Sequence, residues 1–442
     1  MPVFVWDPDA DGEWAPGAAS RVWLHHSLAS LGASLAARGS RLVLASGATV
    51  DVLGRIAQAV GAQSLAYTRR YEPAQRRLEA EVARALGARL ATRAYGGALL
   101  FEPEAIAGAA GQPMRVFTPF WRRCLARPMP RPVSVPKGPL RAPARWPQSL
   151  PLDALGLLPS VRWDRGITDA FTPGEAGAAR ALAHFVDHRL ADYAGLRDRP
   201  AEPATSRLSP HLHFGEITPR RVVAAIAARA DGEGAAKFLA ELGWREFAHH
   251  LLWHFPHTAT QPLRGELASL PATASAAELS AWQRGSTGYP LVDAGLRELW
   301  ATGSMHNRVR MVAASLLVKH LQASWRDGAR WFWDTLVDAD LASNTLGWQW
   351  TAGCGADAAP YERIFNPVLQ GERFDPQGAY VRRWIPALAR LPDAHVHAPW
   401  EAPALVLAAA GVRLGRDYPP PIVDHAFARK RALAAYSSWR GR

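Results

Sequence analysis

The stretch Asp338-Ala-Asp-Leu-Ala-Ser-Asn344, which continues into Trp348-Gln-Trp350 and closes on Tyr361-Glu-Arg-Ile-Phe-Asn-Pro367, decides how the rest of the chain is interpreted. Two acids and an amide stand close together here, with Trp325 before them and Trp348 behind. Indole rings can cover the faces of a large, flat, nitrogen-rich ligand while carboxylates accept its ring N–H groups. A catalytic carboxylate pair, or an acidic loop between two tryptophan-containing helices, would give the same pattern.

Composition indicates a basic, folded chain in a reducing compartment. The 442 residues suffice for two or three domains, and 51 basic against 39 acidic residues give a net charge of +12. The positive electrostatic field of such a chain favours binding to polyanions, and nucleic acid is a better candidate than an acidic membrane. Cys124 and Cys354 provide neither a disulfide framework nor a Cys-rich zinc site, and the histidines lack the ligands that would complete a metal site. No signal peptide and no long apolar run is found, so we expect a cytoplasmic monomer without a membrane or metal partner.

The first part of the chain alternates between strand-like and helix-like segments. Short apolar runs typical of strands are Val3–Trp6, Arg41–Ala45 and Leu65–Tyr67. Helical spacing is found at Ser20–Arg38, Val50–Val60 and Pro73–Leu86. This alternation predicts a parallel α/β sheet, although the glycine fingerprint of dinucleotide-binding domains is missing.

Prolines crowd the chain between about Arg127 and Pro159, which predicts an extended connector because proline fixes φ and lacks a backbone donor. From Thr172 onward the periodicity is almost wholly helical. The sequence therefore predicts an α/β domain over residues 1–126, a Pro-rich linker over 127–160 and an all-α domain over 161–442.

Hydroxyl side chains gather in the segment Thr205-Ser-Arg-Leu-Ser209, shortly after Tyr193 and Arg197. Hydroxyls just before a helix, whose first N–H groups are free, can bind phosphate. Ordinary N-capping by Ser or Thr is the common alternative.

Two further segments present unusual side chains on one helix face. Glu241, Trp244 and Arg245 have i, i+3 and i+4 spacing, so a carboxylate, an indole and a guanidinium can grip an extruded base. Asn307 and Met311 are one turn apart, and a thioether packs well against pyrimidine rings. A core tryptophan with a covering ion pair and a plain amphipathic helix are the respective alternatives.

The order and spacing of these blocks resemble the DNA photolyase and cryptochrome family. The resemblance covers roughly Val3 to Trp439 and implies a Rossmann-like α/β antenna domain joined by the linker to an all-helical FAD-binding domain. The family's opening strand motif is missing from the start of the sequence, so either the sequence begins late or the α/β domain lacks its first strand. The resemblance further implies which residues hold FAD: Tyr193, Thr205, Ser206, Arg207, Leu208, Ser209, Phe238, Arg245, Arg310, Asp338, Ala339, Asp340 and Asn344.

The same resemblance assigns DNA contacts, catalysis and electron transfer. DNA contacts are implied for Arg197, Glu241, Trp244, Arg245, Asn307, Arg308 and Gln370. Catalytic roles are implied for Glu241, Asn307, Met311, Asn344 and Trp350. Trp348 and Trp325 match the first two tryptophans of the family's electron chain. The third is missing, because the chain reads Leu-Ala-Ser-Leu-Pro271-Ala-Thr at that place, and Trp282, Trp331 and Trp333 are candidate substitutes.

The function implied is light-dependent splitting of cyclobutane pyrimidine dimers in UV-damaged DNA, by electron transfer from excited reduced FAD to a flipped-out lesion. Asn307 and Met311 resemble the dimer-specific members, whereas enzymes for (6-4) photoproducts carry a histidine there. A second antenna chromophore of folate or deazaflavin type is expected but not identified, since Gln75 stands where many folate-binding members have Glu. The alternatives are a cryptochrome-like blue-light receptor and a light-independent nucleic-acid-binding protein.

Overall fold

Residues 1–108, 111–229, 232–265 and 272–440 are described by a computed structural model. By contacts the chain divides into two compact units. Unit 1 comprises Met1–Ala191, Ser206–Pro256 and Val337–Ala342; unit 2 comprises Asp192–Thr205, His257–Leu336 and Ser343–Arg442. The short acidic segment 337–342 thus folds with the first unit although both of its chain neighbours fold with the second.

Helices dominate the described residues. They are α1 Ala18–Ala36, α2 Thr49–Val60, α3 Pro73–Leu86, α4 Phe117–Leu125, α5 Arg165–Ala170, α6 Glu175–His188, α7 Tyr193–Leu196, α8 Ser209–His213, α9 Pro219–Ala227, α10 Glu233–His254, α11 Ala276–Gln283, α12 Pro290–Thr302, α13 Asn307–Ser315, α14 Trp325–Thr335, α15 Leu341–Ala352, α16 Pro367–Phe374, α17 Ala379–Trp384, α18 Ala404–Ala410 and α19 His425–Arg440. A π-helical turn, Leu316–His320, continues α13. In these parts of the chain, no helix combines the length and apolar character needed to cross a bilayer.

The strands of unit 1 form two parallel pairs. Strand β1 (Val3–Trp6) pairs with β2 (Val43–Ser46), with Val3 opposite Val43. Strand β3 (Ser64–Thr68) pairs with β4 (Ala91–Tyr95). The predicted parallel pairing is therefore confirmed, as are the ends of β1 and α3, while β4 was missed because Ala91-Thr-Arg-Ala-Tyr95 has no apolar run.

Buried tryptophan and leucine side chains hold unit 1 together. Trp23 of α1 is fully buried and packs against Phe171, with ring centroids 5.4 Å apart. Its indole Nε1 donates to Glu216 at 3.0 Å, which satisfies the buried N–H. A second cluster packs Leu28 of α1 on Leu44 of β2.

Beyond Tyr95 the described chain is helical or irregular, apart from one isolated bridge between Leu414 and Tyr418. An α/β N-terminal part followed by a helical part agrees with the predicted fold class. Within 127–160 the described backbone is irregular except for a 3-10 turn at Leu152–Leu155, and the boundaries at 126 and 160 stay predictions.

Candidate functional site: acids, hydroxyls and tryptophans

In unit 1 the acidic segment meets the hydroxyl motif. Ser209 Oγ donates to Asp338 Oδ2 at 2.6 Å, so two side chains separated by 129 residues are brought together. Ala339 and Asp340 are buried, whereas Asp338 is half-buried. The sequence assigned both partners of this hydrogen bond to the same ligand.

The hydroxyl motif has an unusual local conformation. Arg207 adopts φ +54°, a left-handed value that is uncommon for a residue with a Cβ. Its guanidinium lies 4.1 Å from the centroid of the Phe171 ring and donates to the Ala170 carbonyl at 3.1 Å. Ser206 Oγ accepts from the Leu208 N–H at 3.3 Å. The turn therefore positions these residues before α8 begins at Ser209.

Asp340 is the most strongly stabilised carboxylate of the segment. Its Oδ2 lies 3.3 Å from Nε2 of His249 and 3.8 Å from Nδ1 of His213. Burial alone would raise the pKa of Asp340, but the facing His249, His213 and Arg245 hold it well below its ordinary value. This carboxylate is ionised at neutral pH.

Helix α10 carries the predicted base-gripping residues Glu241, Trp244 and Arg245, all half-buried. Trp244 stacks on Phe117 with centroids 3.8 Å apart and an interplanar angle of 8°. Arg245 donates to the Ala98 carbonyl at 2.7 Å. The stacking on Phe117 covers one face of the indole, which fixes the ring in place. Phe238 of the same helix is buried, 4.5 Å from the ring of Phe185.

In unit 2, Asn307 and Met311 occupy the first turns of α13. His306 caps the helix, since its Nδ1 accepts from the Arg308 N–H at 3.2 Å. Asn307 is exposed and Met311 half-buried. The predicted spacing of one turn is present, so both side chains originate on one side of the helix.

The arginines of this region have partners of their own within unit 2. Arg308 Nη2 donates to Asp198 at 2.7 Å, and its guanidinium lies 4.3 Å from the centroid of the Phe374 ring. Arg310 Nε donates to the Met305 carbonyl at 2.7 Å. Arg197 lies 5.4 Å from the ring of Tyr193, which is buried. Thr205 and Gln370 are half-buried.

The tryptophan cluster of unit 2 centres on the buried Trp348 of α15. Its ring contacts Phe332 edge-on at 5.0 Å and Trp282 edge-on at 6.1 Å. Gly328 of α14 admits the ring, because a Cβ at that position would fall inside the indole. Trp325, at the start of α14, and Trp350 are half-buried. Trp348, Phe332 and Trp282 thus form a continuous cluster of aromatic rings in unit 2.

Asn344, the amide predicted beside the flavin, donates from Nδ2 to the Ala329 carbonyl at 2.9 Å. That hydrogen bond fixes the amide plane and leaves the carbonyl oxygen as its acceptor end. Among the candidate exit rings, Trp331 stacks on Trp300 at 5.9 Å with an interplanar angle of 5°, and Trp300 is 62% exposed. Sequence reasoning did not single out Trp300. The segment that replaces the third tryptophan lies outside the described residues up to Pro271.

His249 and Glu72 were also missed. Ligating atoms of Glu72, His249 and Asp340 all lie within 4.8 Å of one another. The spacing Glu241, Arg245, His249 along α10 repeats every four residues, so it could have placed His249 on the face of the other two. The sequence-based expectation that no metal is bound stays a prediction.

Comparison with known proteins identifies the family. The description "FAD binding domain of DNA photolyase" matches residues 238–438, and "DNA photolyase" matches residues 1–139. The chain belongs to the DNA photolyase family, whose members include cryptochromes.

Three relatives give the extent of the likeness. A deoxyribodipyrimidine photo-lyase of Agrobacterium fabrum is 46% identical, over 99% of this chain and 92% of its own. Cryptochrome-2 of Arabidopsis thaliana is 39% identical, over 100% of this chain and 75% of its own. The crystal structure of a bacterial class III photolyase from Agrobacterium tumefaciens superposes with a TM-score of 0.96 at 45% identity, over 100% of this chain and 92% of its own. The resemblance inferred from the sequence is confirmed.

The side chains of unit 1 fit the cofactor for which the matched domain is named. Asp338 and Asp340 carry carboxylate oxygens of the kind that accepts a ring N–H, and Ser206 and Ser209 carry hydroxyls of the kind that can bind phosphate. The ionised state of Asp340 makes it an acceptor at neutral pH. FAD is therefore the cofactor of this protein.

Proposed function

We propose that this protein is an FAD-dependent deoxyribodipyrimidine photo-lyase that splits cyclobutane pyrimidine dimers in UV-damaged DNA under blue light. The observation that carries the proposal is the hydrogen bond between Ser209 and Asp338, since it joins the two motifs that the family resemblance assigns to the flavin. Bound FAD supplies the light-driven electron. The chain supplies placement, exclusion of water and control of charge.

Lesion recognition is assigned to Glu241, Trp244, Asn307, Met311 and Trp350. Stacked bases cannot reach a buried cofactor, and photolyases belong to the enzymes that flip their target out of the duplex. Trp244 is held by stacking on Phe117, so it offers a rigid plane. The half-buried Met311 offers an apolar, adaptable contact to a pyrimidine ring.

Backbone contacts are assigned to Arg197, Arg245, Arg308 and Gln370. Neutralising phosphates releases counterions, so we expect affinity for damaged DNA to fall as salt increases. Arg308 is already paired with Asp198, which orients its guanidinium. A monomer acting in the cytoplasm stays our prediction.

For the flavin we propose the remaining contacts as the resemblance implies them: Tyr193, Thr205, Ser206, Arg207, Leu208, Phe238, Arg310, Ala339, Asp340 and Asn344. The left-handed turn at Arg207 and the amide of Asn344 support this assignment because hydrogen bonds to the Ala170 and Ala329 carbonyls hold these side chains. Trp348 and Trp325 are proposed to return electrons to the cofactor, with the contacts of Trp348 to Phe332 and Trp282 as support.

For the N-terminal part we propose a Rossmann-like antenna domain over 1–126, followed by the linker 127–160 and the catalytic domain 161–442. The parallel pairing of β1 with β2 and of β3 with β4 supports a parallel sheet of this type. The antenna chromophore is proposed without a choice between folate and deazaflavin.

The test of this function is lesion specificity. Purified, reduced protein is illuminated with oligonucleotides that carry either a cis-syn thymine dimer or a (6-4) photoproduct, and repair is followed by chromatography. We expect reversal of the dimer only, and release of FAD on denaturation. Repair of the (6-4) lesion instead, or protein that is free of flavin, would contradict the proposal.

Met311 and Asn307 give the sharpest test within the site. We expect M311A and N307A to lower dimer repair per absorbed photon and to weaken binding of dimer-containing DNA about tenfold, which corresponds to about 1.4 kcal/mol. FAD content should be unchanged, because neither residue is assigned to the flavin. K237M, at an exposed position of α10, is the control. Unchanged repair would remove both residues from the site.

A cryptochrome-like receptor is the second candidate, favoured by the identity with Cryptochrome-2. Its flavin would respond to light without splitting dimers. Flavin photochemistry in a protein that leaves thymine dimers intact would select this candidate.

A further inference from the structure

Two consecutive histidines of α10, His249 and His250, are both buried, and their hydrogen-bond partners assign them different protonation states. A neutral imidazole has one N–H donor and one lone-pair acceptor, whereas an imidazolium has two donors. The partners of the two ring nitrogens therefore determine the protonation state. Burial disfavours charge for both residues, so any difference between them comes from their partners.

His250 is neutral. The Met114 N–H donates to its Nε2 at 3.0 Å, so Nε2 holds the lone pair. Its Nδ1 faces the Pro103 carbonyl at 3.3 Å and is the donor. Burial, together with the neighbouring His254, lowers the pKa of His250 to about 4, in agreement with these partners.

His249 faces acceptors with both nitrogens. Nδ1 lies 3.0 Å from the Arg245 carbonyl, and Nε2 lies 3.3 Å from Oδ2 of Asp340. A neutral ring has a single N–H, so it would donate to one of these two acceptors and direct a lone pair at the other. Protonation of both nitrogens turns that repulsion into a charge-assisted hydrogen bond.

The charged groups around His249 favour the cation. Asp340 and Glu72 face it with carboxylates, and the carboxyl group of Glu246, whose pKa is raised by burial, lies nearby. Arg245 opposes the charge, His213 shares Asp340 at 3.8 Å, and Tyr71 lies edge-on at 5.8 Å. Burial lowers the pKa of His249, but Asp340 more than compensates, so the pKa stands above its ordinary value.

We propose that His249 is a positioning residue that is positively charged at neutral pH, neutralises Asp340 and thereby holds this carboxylate in place for the flavin. The role of Asp340 toward the flavin rests on the proposed function. The positive charge of His249 does not depend on that function. This inference extends the site from the acidic segment to a residue of α10.

The pH dependence follows from the directions of the two shifts. The pKa of His249 is raised, so its stabilising contribution is fully present below about pH 6.5 and is lost as pH rises through the folded pKa. The pKa of Asp340 is lowered, so its contribution is present above about pH 4 and is lost as pH falls through the folded value. FAD should therefore be held most tightly between the folded pKa values of Asp340 and His249, and dissociate more readily as pH rises above the folded pKa of His249.

The charge is measured directly by NMR of the FAD-loaded protein with ¹⁵N-labelled histidine side chains. At pH 7.5 we expect both ring nitrogens of His249 to be protonated, and His250 to show one protonated and one bare nitrogen. Assignment uses H249Q and H250Q. A His249 ring with a single proton at pH 7.5 would overturn the proposal.

A double-mutant cycle tests the pairing. We expect H249Q to raise the FAD dissociation constant at least tenfold at pH 7.5. In the D340N background H249Q should raise it less than twofold, because residue 340 is then neutral and the positive charge of His249 has no carboxylate to neutralise. H249K, which restores a positive charge, should recover part of the affinity, and H250Q should not couple to D340N. Additive effects of H249Q and D340N would contradict the pairing.

A divalent cation is the competing occupant, since Glu72, His249 and Asp340 are close enough to meet one. Zinc binding needs an unprotonated Nε2. We expect added zinc chloride to leave the melting temperature unchanged; an increase that H249Q abolishes would overturn the charge assignment. Dimer repair by the wild type is scored separately. Loss of repair with a charged His249 rejects the function alone, and a neutral His249 with intact repair rejects this inference alone.

Discussion

The two compact units bury their functional side chains in different ways. Unit 1 buries charge: Asp340 is held beside His249, and Glu246 accepts the N–H groups of Leu100 and Phe101. Unit 2 buries rings: Trp348 fits against Gly328 and contacts Phe332 and Trp282. Buried charges depend on their partners and on pH, whereas buried rings depend on shape. Damage to the first region should therefore appear in titrations, and damage to the second in packing and light response.

Unit 2 also contains a buried ionisable group, Lys319. It lies in the π-helical turn, donates to the Ala352 carbonyl at 3.0 Å and stands 3.3 Å above the ring of Tyr361. Burial lowers its pKa to about 7. His249, facing a carboxylate, has a raised pKa instead. The partner thus decides whether a buried cation keeps its proton.

The largest effect is expected from the charged region. E246A removes a buried carboxylate and leaves the N–H groups of Leu100 and Phe101 without acceptors, so we expect a loss of about 3–5 kcal/mol in the free energy of unfolding. Urea unfolding measures it. The exposed Glu233, at the start of the same helix, gives the control E233Q, which should change stability by less than about 0.5 kcal/mol. A small loss for E246A would mean that unit 1 does not depend on this carboxylate.

G328A tests the ring region. The added Cβ would displace Trp348, and overpacking of this kind costs about 1–3 kcal/mol, with no dependence on pH. G347A is the matched control, because a Cβ there meets no atom within 4 Å and alanine favours a helix by about 0.5–1 kcal/mol. Equal stability of the two variants would show that the Trp348 ring is not tightly confined.

K319M tests whether the pKa of the buried Lys319 is lowered by burial. Between the folded pKa of about 7 and the unfolded value near 10.4, the unfolded chain binds more protons, so stability rises with pH. The wild type should gain about 1 kcal/mol per pH unit above pH 7, and K319M should not. Urea unfolding at pH 7, 8 and 9 checks this, with K237M as the control. An equal pH dependence of the wild type and K319M would contradict the lowered pKa of Lys319.

A272W is expected to have the smallest effect. Restoring a tryptophan where the family has one should accelerate photoreduction of oxidised flavin a few-fold, equivalent to less than about 1 kcal/mol of barrier. Absorbance during blue illumination follows the rate. An unchanged rate would indicate that another ring, with Trp331 stacked on the exposed Trp300 as the candidate, already serves as the exit.

Local structure could be predicted from the sequence where a single residue, such as a proline at the start of a helix, determines the boundary of the element. Helix α3 begins at Pro73, where a proline favours a first turn, and ends at Leu86 as predicted. Contacts that depend on distant chain segments were not predictable. The charge of His249 comes from an aspartate 91 residues later, and the pairing of Ser209 with Asp338 spans 129 residues. The family resemblance supplied the shared ligand for the second contact, but no pattern supplied the first.

The measurement that tests the central claim most directly compares reduced with oxidised protein, in light and in darkness, on an oligonucleotide carrying one thymine dimer. Reversal of the dimer restores base absorbance, so repair is followed without labels. The account predicts repair by the reduced protein in blue light and no repair in darkness, while the oxidised protein repairs only after blue light has reduced its flavin. Reduced, FAD-loaded protein that leaves the dimer intact under blue light would contradict it.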